Sequence, residues 1–331
     1  MPEEIRVVQY GLGPIGCAMA RHVAEREGMR LVGAVDIDPA KVGKDVGEVI
    51  GLGRALGFTA AGTLAAALLG AEADVVLHTT SSYFPRFNAQ ILEILDAGLD
   101  IVSTAEELSF PWLAHLQEAA EIDAAAKKAG RRVLGTGINP GFLMDSLPLF
   151  ITSICQRVDR VDVRRAMNAS LRRGPFQAKI GAGMTVEEFR AKMEAGAMGH
   201  VGLPESMGMV FDTLGKTLAR YESEVEPVVA ERLITTKHFT VQPGHVAGLK
   251  QVAKGYTPDG EFMTLTFVAV LDGEEDGDTI AITGKPSVEV KLKGTNGDLA
   301  TIAIAVNAIK RVREARPGLV TMRDLPIVTW W

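Results

Sequence analysis

The sequence predicts an α/β protein, in which a doubly wound parallel sheet is followed by a second α+β domain built on a mixed or antiparallel sheet. Three observations predict this class. A glycine-rich turn joins an apolar run to a helix-like segment near residue 11. Strand-like and helix-like segments then alternate to about residue 145, the pattern of a parallel sheet with helices on its faces. After that point strand-like runs follow one another, with glycine and charged turns between several of them.

The first predicted element is a strand at residues 5–10, followed by a turn and a helix. Three glycines in the turn have the G-x-G-x-x-G spacing of a dinucleotide-binding unit. In such a unit the first glycine allows the turn, the second lets the backbone approach a pyrophosphate, and the third allows the helix to pack closely on the strand. The diphosphate then binds N–H groups at the helix N-terminus. A purely structural glycine turn is the alternative, but the full strand–turn–helix context favours a Rossmann-type domain. The predicted cofactor-binding residues here are Gly11, Leu12, Gly13, Pro14, Ile15 and Gly16.

A second strand is predicted at residues 29–35, and it ends in Asp36. An acidic residue at this position accepts hydrogen bonds from the adenosine ribose of the cofactor. Asp36 would repel a 2′-phosphate and favour NAD, whereas Lys41 and Lys44 could meet that phosphate if the following loop turns back. The expected cofactor is therefore NAD or NADP.

The remaining elements of the first domain continue the alternation. The predicted strands lie near residue 58 and at 73–78, 100–103 and 132–135, and the predicted helices at 64–69, 87–98 and 112–128. Ligands of such sheets bind beyond the carboxyl ends of the strands. The end of the 73–78 strand is expected to approach the nicotinamide, and its predicted cofactor-binding residues are His78, Thr79, Thr80 and Ser81.

The second half of the chain has a different pattern. Strands are predicted at 158–167, 233–241, 263–271, 279–283 and 287–293, and helices at 186–195, 206–221 and 301–315. We interpret residues 1–145 as an NAD(P)-binding domain and 146–300 as a substrate-binding and dimerisation domain. Residues 301–331 are expected to form a C-terminal helix and tail that pack back on the first domain.

Composition excludes several classes of protein. The net charge is −6 with no long block of like charges, which argues against nucleic acid or an anionic membrane as a partner. Cys17 and Cys155 are too few and too far apart for a disulfide framework, and no metal-binding motif occurs, so no metal site is expected. No N-terminal targeting pattern or membrane-spanning run is seen, and we expect a cytoplasmic protein.

Two adjacent carboxylates, Glu106 and Glu107, follow the predicted strand that ends at Ser103. One interpretation is structural: Ser103 or Thr104 caps a helix, and a glutamate three residues later completes a capping box. The other is catalytic. An amine must be neutral before hydride leaves its carbon, and a nearby carboxylate can take that proton, stabilise the iminium cation and deprotonate the attacking water. The two glutamates remain alternative catalytic candidates.

Other polar residues are candidates for binding a substrate. Asn139 lies in a loop at a strand end, although a plain Asn-Pro turn is the alternative. A basic cluster flanks the first strand of the second domain, and an arginine can hold a carboxylate through two hydrogen bonds. Solvated charges on a strand face are the alternative. The predicted substrate-binding residues are Asn139, Arg165, Asn168, Arg172, Arg173 and His200.

Four segments resemble the 2,4-diaminopentanoate dehydrogenases and the related native amine dehydrogenases, which are built on a dihydrodipicolinate-reductase-like scaffold. These segments are Ser-Thr-x-Glu-Glu-Leu at 103–108, Gly-Thr-Gly-Ile-Asn-Pro-Gly-Phe at 135–142, Arg-Arg-Gly-Pro-Phe-Gln-Ala-Lys-Ile-Gly at 172–181 and Gly-His-Val-Gly-Leu-Pro-Glu-Ser at 199–206. The similarity covers nearly the whole chain. It implies NAD(P)-dependent oxidative deamination, with Glu106, or otherwise Glu107, contacting the reacting amine.

The expected activity is therefore that of a homodimeric amine dehydrogenase whose small-molecule partners are an amine or ketone and ammonia. The expected substrate is 2,4-diaminopentanoate, which would give 2-amino-4-oxopentanoate. A dehydrogenase of simple alkyl amines is one alternative. A cyclic-imine reductase like dihydrodipicolinate reductase is another, although the His-His pair of that family is missing here. A catalytically silent NAD(P)-binding sensor is the non-enzymatic alternative.

Overall fold

The computed structural model describes residues 4–273 and 276–331, and the chain divides into two compact units. The first unit contains the residues up to Phe142 together with Gly297–Trp331, and the second is Leu143–Asn296. Each division lies a few residues before the corresponding predicted boundary. No helix in the described part of the chain is both long and apolar enough to cross a membrane.

The first unit is a six-stranded parallel sheet with helices packed on it, as predicted. Its strands are β1 (Ile5–Tyr10), β2 (Met29–Val35), β3 (Val75–His78), β4 (Asp100–Ser103), β5 (Arg132–Gly135) and β14 (Gly318–Val320). Its helices are α1 (Pro14–Glu25), α2 (Val46–Val49), α3 (Leu64–Ala67), α4 (Phe84–Asp96), α5 (Leu116–Ala129) and α10 (Gly297–Glu314). Short 3₁₀ helices occur at Glu106–Leu108, Pro111–Leu113 and Met322–Asp324.

The strand order is β14-β5-β4-β3-β1-β2, so the chain changes direction across the sheet between β1 and β3. The carboxyl ends of these two strands therefore form the switch point at which doubly wound sheets bind ligands. Apolar side chains cover both faces of β1, because Val7 packs in a core with α1 and α10 and Val8 in a core with α4 and α5. A strand near residue 58 was predicted wrongly, since this short, glycine-flanked segment forms only isolated bridges at Thr59 and Ala61.

The second unit is an α+β structure. Its strands are β6 (Arg157–Asn168), β7 (Arg220–Val229), β8 (Ile234–Thr235), β9 (Thr240–Val241), β10 (Val246–Thr257), β11 (Gly260–Val270), β12 (Gly277–Lys285) and β13 (Val288–Lys293). Its helices are α6 (Ser146–Thr152), α7 (Gly174–Lys179), α8 (Val186–Glu194) and α9 (Leu203–Thr213), and a 3₁₀ helix covers Ala169–Leu171.

Six of these strands form one sheet in the order β13-β12-β6-β11-β10-β7. The sheet is mixed, because β6 and β11 are parallel and the other neighbours are antiparallel. Side chains alternate along the strands. In β11, Leu265 and Phe267 are buried on one face, whereas Thr266 and Val268 on the other face are only partly covered.

Two predictions for this unit were wrong in detail, and two strands were missed. The helix at 206–221 ends at Thr213, and residues 220–221 begin β7, because Gly215 with φ of +64° turns the chain out of the helix. The single strand at 233–241 is the small hairpin of β8 and β9. The strands β7 and β10 were not predicted, since β7 alternates glutamates with other residues and contains a proline, and β10 contains two glycines.

Candidate functional site

The glycine turn has the shape of a phosphate cradle. Gly11 has φ of +94°, and a Cβ atom there would lie 2.7 Å from the carbonyl oxygen of Thr79. A Cβ on Gly16 would lie 1.9 Å from the Gly11 oxygen, whereas Gly13 faces open space. Helix α1 begins at Pro14, and no side chain caps it. The turn is therefore open at the one glycine where a diphosphate needs to approach the backbone, which fits a dinucleotide cofactor.

Two side chains on β1 and after β3 hold this turn. The amide of Gln9, which is fully buried, donates to the Gly11 oxygen at 3.0 Å and to the Thr79 Oγ1 at 2.9 Å. Thr79 Oγ1 in turn lies 2.9 Å from the Gly11 oxygen. Gln9 was not among the predicted site residues, and its one signal in the sequence is that it is a polar residue within an apolar strand.

Asp36 lies beside the turn and is held by the backbone. Its carboxylate accepts hydrogen bonds from the N–H of Leu12 at 2.7 Å and of Asp38 at 2.8 Å. The loop after β2 does turn back, because the Lys41 ammonium lies 3.3 Å from carboxylate oxygens of both Asp36 and Asp38. A cation thus stands next to the carboxylate at the expected ribose position.

The His78 side chain lies inside the first unit rather than on its surface. The ring is fully buried, with Nδ1 2.8 Å from Ser103 Oγ and Nε2 2.8 Å from Gln90 Oε1. Thr80 Oγ1 is 2.9 Å from the same Nε2. Burial lowers the pKa of His78 to about 4, which leaves the ring neutral at neutral pH. Of the residues predicted after β3, Thr79 lies next to the glycine turn, and Thr80 lies next to the His78 ring.

The two candidate glutamates have different surroundings. Glu107 caps helix α4, since its Oε2 accepts from the N–H of Phe84 at 2.5 Å and lies 3.2 Å from His115 Nε2. Glu106 begins the 3₁₀ helix and is only partly buried. Its backbone oxygen accepts from both the N–H and the hydroxyl of Ser109, at 3.1 and 2.8 Å. The capping interpretation therefore accounts for Glu107, with α4 rather than its own helix as the partner.

Asn139 is buried in the loop that follows β5. The loop is fixed just before Asn139, because the N–H of Thr136 donates to the Ser103 oxygen and the N–H of Ile138 to the Thr301 hydroxyl of α10. Gly141 has φ of +122°, and a Cβ there would lie 2.5 Å from the Gly137 nitrogen. The loop thus presents a buried amide beside the β4 end, in the same unit as Glu106.

In the second unit, four strands place a polar row across the buried face of the sheet. Asp278 on β12 is directly opposite Arg165 on β6, Phe267 on β11 is opposite Arg165, and Gln251 on β10 is opposite Phe267. The ring of His200 stacks on Phe267 with centroids 4.5 Å apart, and the backbone N–H of His200 donates to Gln251 Oε1 at 2.6 Å. The row thus brings the predicted residues Arg165 and His200 onto one platform.

Arg165 is only 2% exposed, yet its hydrogen bonding is poor. Its Nε is 3.8 Å from Asp278 Oδ1, its Nη2 is 3.5 Å from the Thr295 oxygen, and within the described chain its Nη1 has no hydrogen-bond partner. Burial lowers the pKa of Arg165 and raises that of Asp278. A buried guanidinium with an unused donor fits an anionic group of a ligand.

The other predicted residues of this unit lie near the platform or cap short helices. The Arg172 guanidinium stacks over Phe176 at 4.5 Å, and Arg173 precedes helix α7 as its N-cap. Asn168 caps the 3₁₀ helix by accepting from the N–H of Ser170. Gln177, which sequence reasoning missed, donates to the carbonyl oxygens of Ala169, Ser170 and Arg172 and fixes the loop that carries Arg172.

The described ranges 4–273 and 276–331 contain no group of three or more His, Cys, Asp or Glu residues that could hold a metal ion. The polar groups gathered at the strand ends of the first unit are instead hydroxyls, an amide and carboxylates. Such groups orient a substrate and transfer protons.

Comparison with known proteins supports one family. Residues 142–331 match the family model described as the 2,4-diaminopentanoate dehydrogenase C-terminal domain. The chain is 33% identical to 2,4-diaminopentanoate dehydrogenase from Acetoanaerobium sticklandii, over 98% of this chain and 94% of that protein. It is 22% identical to an amine dehydrogenase of Streptomyces virginiae, over 98% and 96% of the two chains. The solved structure of an amine dehydrogenase from Mycobacterium smegmatis has a TM-score of 0.88 at 24% identity, covers 99% of this chain and 98% of its own, and shares the fold.

Proposed function

This chain belongs to the 2,4-diaminopentanoate dehydrogenase family, and we propose that it catalyses the NAD(P)-dependent oxidative deamination of 2,4-diaminopentanoate to 2-amino-4-oxopentanoate. The reverse reaction is the reductive amination of the ketone with ammonia. One observation carries the proposal beyond family membership: at the end of β4, Glu107 is used to cap a helix while its neighbour Glu106 is not part of that cap. We therefore propose Glu106, rather than Glu107, as the carboxylate for acid–base chemistry.

The proposed mechanism assigns three steps to Glu106. Its carboxylate first takes a proton from the C4 ammonium, because only the neutral amine can release hydride from its carbon. A nicotinamide dinucleotide held at the glycine turn supplies the acceptor for that hydride. Glu106 passes this proton to solvent, so its restored negative charge stabilises the substrate iminium, and it then takes a proton from the water that attacks the iminium carbon. It returns that proton to the nitrogen of the resulting carbinolamine, ammonia leaves, and the hydroxyl loses its proton to give the C4 ketone.

Residues of the second unit are proposed to hold the amino-acid end of the substrate. Arg165 is the strongest candidate for the carboxylate, because its guanidinium is buried and retains an unused N–H donor. His200, stacked on Phe267, and Arg172 are proposed to complete this end of the site. A substrate that carries a carboxylate fits this charge better than a simple alkyl amine does.

Either NAD or NADP is proposed as the cofactor. Asp36 is placed to accept hydrogen bonds from an adenosine ribose, and Lys41 at 3.3 Å offsets its charge. A 2′-phosphate would therefore meet a carboxylate and an ammonium together. This arrangement favours use of both cofactors over strict discrimination.

The test is the formation of NADH or NADPH from a panel of amines. The panel contains 2,4-diaminopentanoate, alanine, ornithine and the carboxylate-free 2-aminopentane. We expect turnover of the diamino acid, a loss of at least about a hundredfold in Glu106→Gln, and retention of most of the turnover in the matched control Glu107→Gln. No turnover by the wild type on any amine of the panel, or full activity of Glu106→Gln, would contradict the proposal.

The protein is further proposed to act as a homodimer. The outer face of the second unit's sheet is mostly exposed or half-buried, and its central strands carry Thr266, Val268 and Ala281 beside the charged Asp162 and Arg164. Six strands about 4.8 Å apart, with a mean length of about ten residues, present roughly 1,000 Å². This area is enough for the roughly 800 Å² per partner of a stable interface, so a second copy of the same sheet could cover it.

A further inference from the structure

The hydrogen-bond network around His78 joins three elements of the first unit. His78 ends β3, Ser103 ends β4, and Gln90 lies on α4. The imidazole contacts the other two side chains, one through each ring nitrogen, at 2.8 Å in both cases. None of the steps proposed for Glu106 uses this ring.

The protons of the network can be assigned from its geometry. Ser103 Oγ accepts from the N–H of Ala105 at 3.1 Å, so its own proton is available to His78 Nδ1. The neutral ring then carries its proton on Nε2 and donates to Gln90 Oε1, which also accepts from the Thr80 hydroxyl at 2.7 Å. Each donor has an acceptor, and the ring acts as an acceptor only towards Ser103.

The loop that carries Glu106 is attached to the β3–α4 segment on both sides of that residue. Before it, the N–H of Thr104 donates to the His78 oxygen at 3.0 Å. After it, the N–H of Glu107 donates to the Ser82 oxygen at 3.3 Å, and its carboxylate caps α4. The side-chain pair of Ser103 and His78 adds the attachment nearest to the turn at Ala105, where the 3₁₀ helix begins.

We propose that His78 is a positioning residue for Glu106. His78 accepts a hydrogen bond from the Ser103 hydroxyl and thereby fixes the start of the 3₁₀ helix that contains Glu106. The inference rests on the proposed function, because it takes Glu106 to be the reacting carboxylate. It also assigns His78 a place beneath the site, with no contact to the cofactor through its ring. Ser103 is the link through which it acts.

Two substitutions separate this role from simple packing. In His78→Asn the amide oxygen lies near the position of Nδ1 and keeps the acceptor for Ser103, whereas in His78→Gln the amide nitrogen lies near Nε2 and keeps only the donor to Gln90. We expect His78→Gln to lower kcat about a hundredfold through misplacement of Glu106. His78→Asn should restore most of that loss. NADH affinity, measured by fluorescence titration, should stay within about twofold in both variants, since no ring contact to the cofactor is proposed.

Amide hydrogen exchange provides a readout independent of turnover. Exchange at residues 104–109 should be faster by about tenfold in His78→Gln than in wild type. If His78→Gln does not fold, Ser103→Ala replaces it and should show the same increase. The controls His78→Asn and Ser103→Thr should exchange at rates close to wild type. Equal kcat and equal exchange in His78→Gln and His78→Asn would overturn the inference. If Glu106→Gln keeps full activity, the proposed function fails, and the exchange rates still decide whether His78 fixes the loop.

Discussion

At the scale of single residues, Arg165 shows why the sequence could point to a substrate contact without locating it. The pattern Arg164-Arg165 gives two adjacent cations, and only the structure shows that they are on opposite faces of β6. Arg164 is exposed, whereas Arg165 is buried beside Asp278. Asp278 lies more than a hundred residues later in the chain, so sequence spacing alone could not identify it as the neighbour.

The pair of arginines allows a controlled test of carboxylate binding. We expect Arg165→Met to lower kcat/KM for 2,4-diaminopentanoate by about thirtyfold or more, because loss of a buried charged hydrogen bond costs about 2 kcal/mol or more. Turnover of 2-aminopentane should not fall, since that amine has no carboxylate. The measurement is steady-state kinetics on both amines.

The control for this test is Arg164→Met, which makes the same change on the exposed face and should leave both rates near wild type. The double variant Arg165→Met, Asp278→Asn avoids leaving a buried carboxylate without its counter-charge. If the single and double variants lose activity equally on both amines, Arg165 does not bind the carboxylate.

His78 also provides a prediction about stability and pH. Its pKa is about 4 in the folded protein and 6.5 without the burial, so protonation favours the unfolded chain. The stability that the protein gains from keeping the His78 ring neutral is complete above pH 6.5 and is lost as the pH falls towards 4. Between pH 7.5 and 4.5 this loss amounts to about 2.5 kcal/mol.

The measurement is urea unfolding of wild type and His78→Asn at both pH values. Asparagine does not titrate in this range. On acidification, the unfolding free energy of wild type should therefore fall by about 2.5 kcal/mol more than that of His78→Asn. A difference that stays constant with pH would mean that the ring accepts a proton without unfolding.

At the scale of elements, the strand–turn–helix at the N-terminus was predictable because its requirements are local. Gly11 and Gly16 are needed for a backbone angle and a close approach that other residues cannot provide. The edge strand β7 was not predictable in the same way. Its alternating glutamates face away from the core, and its pairing with β10 depends on residues some twenty to forty positions away. The glutamate pair was likewise ambiguous until α4 was seen to use Glu107 as its cap.

The loop after β2 determines a prediction about the cofactor. Asp36→Ala removes the charge that repels a 2′-phosphate, and it should shift the ratio of kcat/KM values towards NADP by about tenfold or more. Lys41→Gln should shift the same ratio towards NAD, because it removes the neighbouring cation. Steady-state kinetics with both cofactors measures the two ratios.

Lys44→Gln is the matched control for the lysine, because Lys44 lies in the same loop and forms no ion pair with Asp36 in the described residues. An unchanged ratio in Asp36→Ala would remove this residue from the ribose site. An unchanged ratio in Lys41→Gln, with a shift in the control, would transfer the phosphate contact to Lys44.

At the scale of the whole molecule, the sheet of the second unit predicts the oligomeric state. One face carries a core that includes Val161, Val163 and Leu265, and the other face presents threonine, valine and alanine beside Asp162 and Arg164 on its central strands. A monomer would leave the apolar residues of this face in water, whereas a two-fold copy of the sheet would bury them. We therefore expect light scattering to give a mass twice the 35.4 kDa of one chain.

A charge at the centre of this face should separate the two copies. Val268→Asp lies in the central strand β11, and we expect it to give a monomer at micromolar concentration, because the new carboxylate and Lys250 opposite it on β10 would both be desolvated in the dimer. Leu69→Asp is the control, since Leu69 is 82% exposed on the first unit and its change should leave the dimer intact. A dimer that persists in Val268→Asp would place the interface elsewhere on the chain. Comparing amine turnover of the monomeric variant with that of wild type then shows whether the site needs the second copy at all.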